Sequence, residues 1–120
     1  MALVLVVEDE FAIAELLQAM IEDEGHAVVT AGNGAGGLKA MAASRPDLVI
    51  TDTMMPGMGG PEMVRAMASV PDLSRLKIVV MSAMPEEMVG GGYPGYAAFL
   101  QKPFRLTEVA ALLSRLLSQG

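Results

Sequence analysis

Cysteine is absent from this 120-residue chain, which removes disulfide scaffolds, thiolate metal sites and cysteine nucleophiles from consideration. That fits a reducing compartment, and a cytoplasmic location is expected. Histidine occurs once, at His26, so neither a histidine kinase nor a histidine-based triad has the residues it needs. Basic residues are few. Eight Lys and Arg against fourteen Asp and Glu give a formal charge of −6, and the eight are scattered along the chain. Phosphate backbones are gripped by clustered Lys and Arg, so nucleic acid is not expected as a partner. No apolar run approaches the ~20 residues of a membrane span. The apolar start, Met1 to Val7, is too short for a signal-peptide core and lacks a basic leader, so no membrane association is expected. There is no internal repeat and no linker. A chain of this length suits one compact domain that buries roughly two-thirds of its unfolded surface.

What the chain does have is a regular alternation of short apolar runs with longer amphipathic segments. Strands are predicted at Leu3–Val7, Ala27–Thr30, Asp47–Thr51, Leu76–Met81 and Ala97–Leu100. The intervening segment Phe11–Asp23 carries Ile13, Leu16, Leu17, Met20 and Ile21 at helical spacing, with Gly25 placed to end it. Ala35–Ser44 is a weaker helix, since Gly36 and Gly37 each cost about 1 kcal/mol relative to alanine. Pro61 suits the first position of a helix running to Ala68. Leu106–Leu117 is a closing helix with Leu106, Val109, Leu113, Leu116 and Leu117 along one side. Near-continuous apolar strands separated by helices imply an α/β fold whose parallel sheet is covered on both faces. Ligands of such sheets sit at the carboxyl ends of the strands.

The polar residues fall at those ends. Glu8 and Asp9 close the first strand, Asp52 the third and Ser82 the fourth, and Lys102 follows the fifth. Carboxylates gathered in one place need a cation to neutralise them. Magnesium fits, because it prefers oxygen ligands and keeps several waters, with manganese as the alternative. A carboxylate beside a metal and a lysine can attack phosphorus, while the two cations neutralise the charge that spreads over the phosphoryl oxygens. Ser82 then offers a hydroxyl to the attached group.

With these residues in order, the chain resembles the response-regulator receiver family of two-component signalling. The matching segments are Glu8-Asp9, Val49-Ile50-Thr51-Asp52, Met54-Met55-Pro56-Gly57-Met58, Ser82-Ala83 and Lys102-Pro103-Phe104. The resemblance implies a receiver domain over residues 1–120 without an output domain, and a five-stranded, doubly wound sheet in the order 2-1-3-4-5. It implies that Asp52 accepts the phosphoryl group, and that Glu8, Asp9, Asp52 and the Met54 carbonyl form the metal site. It implies that Ser82 and Lys102 contact the phosphoryl group and that Ser82 and Phe99 form the switch. The expected donor is a sensor histidine kinase or a histidine phosphotransfer protein, and the expected output is contact with a downstream protein. Only self-catalysed phosphoryl transfer and loss are expected, not turnover of external substrates.

Three departures stand out. Gly59 occupies a position that is often Asp in the family, and Gly60 follows it. Arg105 stands where a capping Asp or Ser is usual. Gly90-Gly91-Gly92-Tyr93-Pro94-Gly95 lies where a helix is due between the fourth and fifth strands. Pro85, Glu86 and Glu87 can start a turn there, but three glycines and Pro94 then oppose it. A short turn and a mobile glycine-rich loop, pinned by Tyr93 or Tyr96, are expected. Among rival readings, an aspartyl-nucleophile phosphatase lacks the second acid, since Met54 stands two residues after Asp52. A flavin or nucleotide module is opposed by the acids after the first strand. A degenerate receiver acting as a phosphorylation-independent interaction module is the alternative that the altered loop keeps open.

Overall fold

The computed structural model describes residues 1–55 and 57–117. Pro56, part of the loop motif after Asp52, lies outside the described residues.

The strands are β1 (Leu3–Val7), β2 (Ala27–Ala31), β3 (Leu48–Asp52), β4 (Lys77–Ser82) and β5 (Ala98–Gln101). The helices are α1 (Phe11–Asp23), α2 (Gly34–Ala43), α3 (Gly60–Ala68) and α4 (Leu106–Leu117). All strands pair in parallel, in the order β2-β1-β3-β4-β5. This is the doubly wound fold the sequence implies. β3 runs one residue later than predicted, and Asp47, placed in the strand by its sequence, instead accepts the Leu3 N–H through its side chain at 2.8 Å.

Strand alternation divides the interior in two. Val4, Val6, Leu48, Ile50, Val79, Met81 and Leu100 face α1 and α4, meeting Leu17, Ile21, Val109, Leu113 and Leu116. Leu5, Val7, Val49 and Val80 face α2 and α3, meeting Met41, Met63, Val64 and Met67. Tyr93 joins this second cluster from the loop after β4.

That loop is irregular, as expected. Glu86–Met88 makes one 3-10 turn, and glycine-rich backbone then leads to β5. The Tyr96 hydroxyl bonds to Glu86 across it. The weakly capped closing helix finds another solution: Glu108 in its first turn accepts the Arg105 N–H at 2.8 Å, which is half of a capping box. His26 is half-buried, its Nδ1 accepting the Ala2 N–H at 3.1 Å. It lies at the start of β2, at the end of the sheet away from the acidic residues.

Candidate functional site

The carboxyl edge of the sheet gathers its polar residues from four strands. Parallel register puts Val7 beside Thr51, and Asp52 beside Met81, so the residues just beyond β1 face the end of β3. Glu8, Asp52 and Ser82 are buried, with Glu8 only 3% and Asp52 only 6% exposed. Asp9 is exposed.

Lys102 holds this edge together. Its ammonium donates to Glu8 Oε1 at 2.8 Å and stands 3.2 Å from Asp52 Oδ2. The other Glu8 oxygen accepts the Glu10 N–H at 2.9 Å, and Asp52 Oδ1 accepts the Thr53 N–H at 2.8 Å. The Lys102 N–H is tied to the Ser82 carbonyl at 2.8 Å, which fixes its backbone at the end of β4.

The electrostatics follow from burial and pairing. Desolvation pushes the Glu8 carboxyl above its usual 4.5; Asp52 adds to the rise, and the bonds from Lys102 and Glu10 oppose it. Desolvation lowers the Lys102 ammonium, but Glu8 and Asp52 outweigh that and hold it above its usual 10.5. The arrangement is short of positive charge: one ammonium serves three carboxylates.

Metal-ligating capacity is therefore present. One oxygen each from Glu8, Asp9 and Asp52 lie within 4.8 Å of one another. Opposite ligands of magnesium are about 4.1 Å apart at ideal bond lengths, so modest side-chain adjustment brings these oxygens to one octahedral ion. The donor set, oxygen only and anionic, suits a hard divalent cation. Glu8 is engaged by Lys102 in this arrangement, so Asp9 and Asp52 are the carboxylates better placed for direct ligation.

Residues 4–114 match the response regulator receiver domain family. The chain belongs to that family. It is 35% identical over 115 residues to the probable transcriptional regulatory protein TcrX of Mycobacterium tuberculosis, covering 95% of this chain and 49% of that protein. It is 37% identical over 116 residues to the response regulator MprA of Mycolicibacterium vanbaalenii, again covering 95% of this chain and 49% of the relative. The chain thus spans about half the length of the curated relatives it matches. Among solved structures, the chemotaxis response regulator CheY4 of Vibrio cholerae superposes with a TM-score of 0.87 at 30% identity, over 97% of this chain and 98% of that one. The acidic cluster of Glu8, Asp9 and Asp52 is arranged as in a receiver-domain magnesium site.

In this receiver domain, Glu8, Asp9, Asp52 and Lys102 come together, and Ser82 lies at the neighbouring strand end. The Met54 side chain is 69% exposed in the loop that follows Asp52. Phe99 is half-buried on β5, packed against the core cluster that faces α2 and α3.

Two residues here escaped the sequence reading. Thr53 follows Asp52 directly, and its hydroxyl lies 3.0 Å from Ser82 Oγ, which also accepts the Met84 N–H at 3.0 Å. The register that sets Asp52 beside Met81 carries Thr53, the next residue, alongside Ser82. Tyr93 was expected only as a loop anchor, whereas its ring is inserted into the core beneath the acceptor loop.

Among the described residues, no helix is long and apolar enough to cross a membrane.

Proposed function

We propose that this receiver domain takes a phosphoryl group onto Asp52 from a phosphohistidine and uses it to change the surface formed by β5, the glycine-rich loop and α4. The observation that carries this reading is the placement of Lys102 between Glu8 and Asp52, with Asp9 beside them, at the open edge of the sheet.

The Asp52 carboxylate attacks phosphorus. A new O–P bond forms, the N–P bond of the phosphohistidine breaks, and the imidazole leaves with the bonding pair and then takes up a proton. Thr53 N–H and Lys102 orient the two carboxylate oxygens, with donor distances of 2.8 and 3.2 Å. Lys102, shared between two acids before transfer, is the protein's own cation for the phosphoryl oxygens. Asp9, Asp52 and the Met54 carbonyl, with Glu8 beside them, would hold magnesium, which would supply further neutralisation of the charge on those oxygens. The Ser82 hydroxyl then donates to the phosphoryl group. Drawing Ser82 that way disturbs its contacts with Thr53 and the Met84 N–H, which start the glycine-rich loop, and alters the space available to Phe99. The donor is a sensor histidine kinase or a histidine phosphotransfer protein, the output is a protein contact, and the compartment is the cytoplasm.

Intact-mass measurement after incubation with a small phosphodonor and magnesium tests the acceptor. Wild type gains one phosphoryl group and Asp52→Asn gains none; equal gains in both overturn the assignment. Asp9→Asn is expected to weaken magnesium binding, read by titration of the unphosphorylated protein.

A further inference from the structure

The segment between β4 and β5 is fitted against α3 by a reciprocal pair of dipeptides. A Cβ at Gly92 would stand 2.9 Å from Pro61 Cβ and Cγ, and a Cβ at Gly60 would overlap the Tyr93 hydroxyl. Pro61 therefore fills the space left by Gly92, and Tyr93 the space left by Gly60. The added Gly60 Cβ would also come within 3.0 Å of the Asp52 carbonyl, so the phenol lies against the backbone of the acceptor loop. Tyr93 is 4% exposed.

Among the described residues, the Tyr93 hydroxyl is the one buried side-chain polar atom without a hydrogen-bond partner. Burial, then the charges of Asp52 and Glu62, push the phenol to about 12, so it keeps its proton and remains a donor at neutral pH. Leaving a buried donor unmatched costs about 1–3 kcal/mol, so an acceptor brought within its reach would stabilise the seat of the loop. The oxygens of Asp52 are meanwhile committed to Thr53 and Lys102. A phosphoryl group on Asp52 adds three strong acceptor oxygens and about 1.5 to 2 negative charges to the residue whose backbone the phenol approaches.

We propose that Tyr93 is a positioning residue for the phosphorylated state: its unpaired hydroxyl gains an anionic counterpart when Asp52 is phosphorylated, and the glycine-rich loop is then fastened more tightly against α3. This rests on Asp52 being the acceptor. Because coupling is reciprocal, a fastened loop also favours the phosphorylated state. The ring alone explains anchoring in both states; the hydroxyl explains a change between them.

The experiment compares wild type with Tyr93→Phe and Tyr93→Ala, each with and without a small phosphodonor plus magnesium. Intact mass scores phosphorylation, and amide hydrogen exchange scores residues 90–96. In wild type, phosphorylation is expected to raise protection of this segment by about tenfold, the size of a hydrogen bond to a charged group. Tyr93→Phe keeps the ring, so its loop is protected at least as well as wild type before phosphorylation but gains nothing afterwards. Tyr93→Ala loosens the loop in both states. An equal gain in wild type and Tyr93→Phe, or no gain in phosphorylated wild type, overturns the role of the hydroxyl while leaving Asp52 as acceptor. No mass gain in wild type overturns the acceptor assignment and this inference with it.

Discussion

The two faces of the sheet are covered by different means. On one, α1 and α4 lay continuous rows of Leu, Ile and Val over the strands. On the other, Met41 of α2 and Met63, Val64 and Met67 of α3 are joined by Tyr93, the one buried residue of an irregular loop. A helix row divides its burial among many side chains held by intrahelical bonds. The loop concentrates its burial in one ring, seated by the fit of Gly60 and Gly92 against Tyr93 and Pro61. The first face tolerates small errors of fit, whereas the second depends on a few contacts and lies directly beneath the acceptor. A surface meant to respond to one added group is better built in the second way, because fewer interactions must change.

Substitutions can break or sharpen this contrast. The largest loss is expected on the helix-covered face, where Leu113→Ala empties a site only 1% exposed. It should destabilise the protein by about 3 kcal/mol in denaturant melts, and the effect should be global, visible in exchange across α1 and α4 alike.

At the edge common to both faces, Lys102→Ala strands the Glu8 carboxylate. A sealed ion pair loses about 3–5 kcal/mol when one partner is removed; Lys102 keeps some solvent contact, so about 2 kcal/mol is expected at neutral pH. The sign with pH follows from Glu8. Its folded-state pKa is raised, so the folded protein binds the proton more readily than the unfolded chain as pH falls toward 4.5. In the variant that uptake relieves the unpaired charge, and the loss should shrink on acidification. In wild type, Lys102 is raised as well; its contribution is intact below 10.5 and is lost as pH climbs through the folded-state value. Melts across pH, compared between the two proteins, check both signs.

On the loop-covered face, Gly92→Ala drives a methyl group into the Pro61 ring at 2.9 Å. A cost of about 1.5 kcal/mol is expected, typical of overpacking. It should surface as faster exchange in residues 90–96 with α4 unchanged. The neighbouring Gly91→Ala meets nothing within 4 Å and should stabilise the fold slightly, by about 0.5 kcal/mol, through the unfolded chain alone. If the two alanines behave alike, the reciprocal fit is not what seats the loop.

Much of this was legible before any coordinates, and for identifiable reasons. The strands are nearly unbroken apolar runs, and the long helices α1 and α4 carry regular periodicity, so composition along the chain reports their burial directly. Glu8, Asp9, Asp52, Ser82 and Lys102 could be placed because strand ends in a parallel sheet share one edge. The closeness of Lys102 to Glu8, 2.8 Å against 3.2 Å to Asp52, was not legible, since it depends on side-chain reach. Glycines misled in one respect. Gly37 counted against α2 as a poor helix former, yet a Cβ there would lie 2.8 Å from Met63 Sδ and 3.2 Å from Val7 Cγ2. Its lack of a side chain lets the helix lie close to β1 and α3, a tertiary gain invisible to local propensity. The same kind of contact hid the seat of Tyr93, because its partners, Gly60 and Pro61, are distant in sequence.

The interlocking of Gly60-Pro61 with Gly92-Tyr93 also constrains how such a chain can diverge. A lineage that places any side chain at Gly60 must surrender the tyrosine, and one that fills Gly92 must reshape the turn into α3 at the proline. The two dipeptides are therefore expected to be inherited as a unit. Swapping either one alone for its counterpart from a receiver with a full helix at this position should yield a misfit, and exchanging both together should restore the protein.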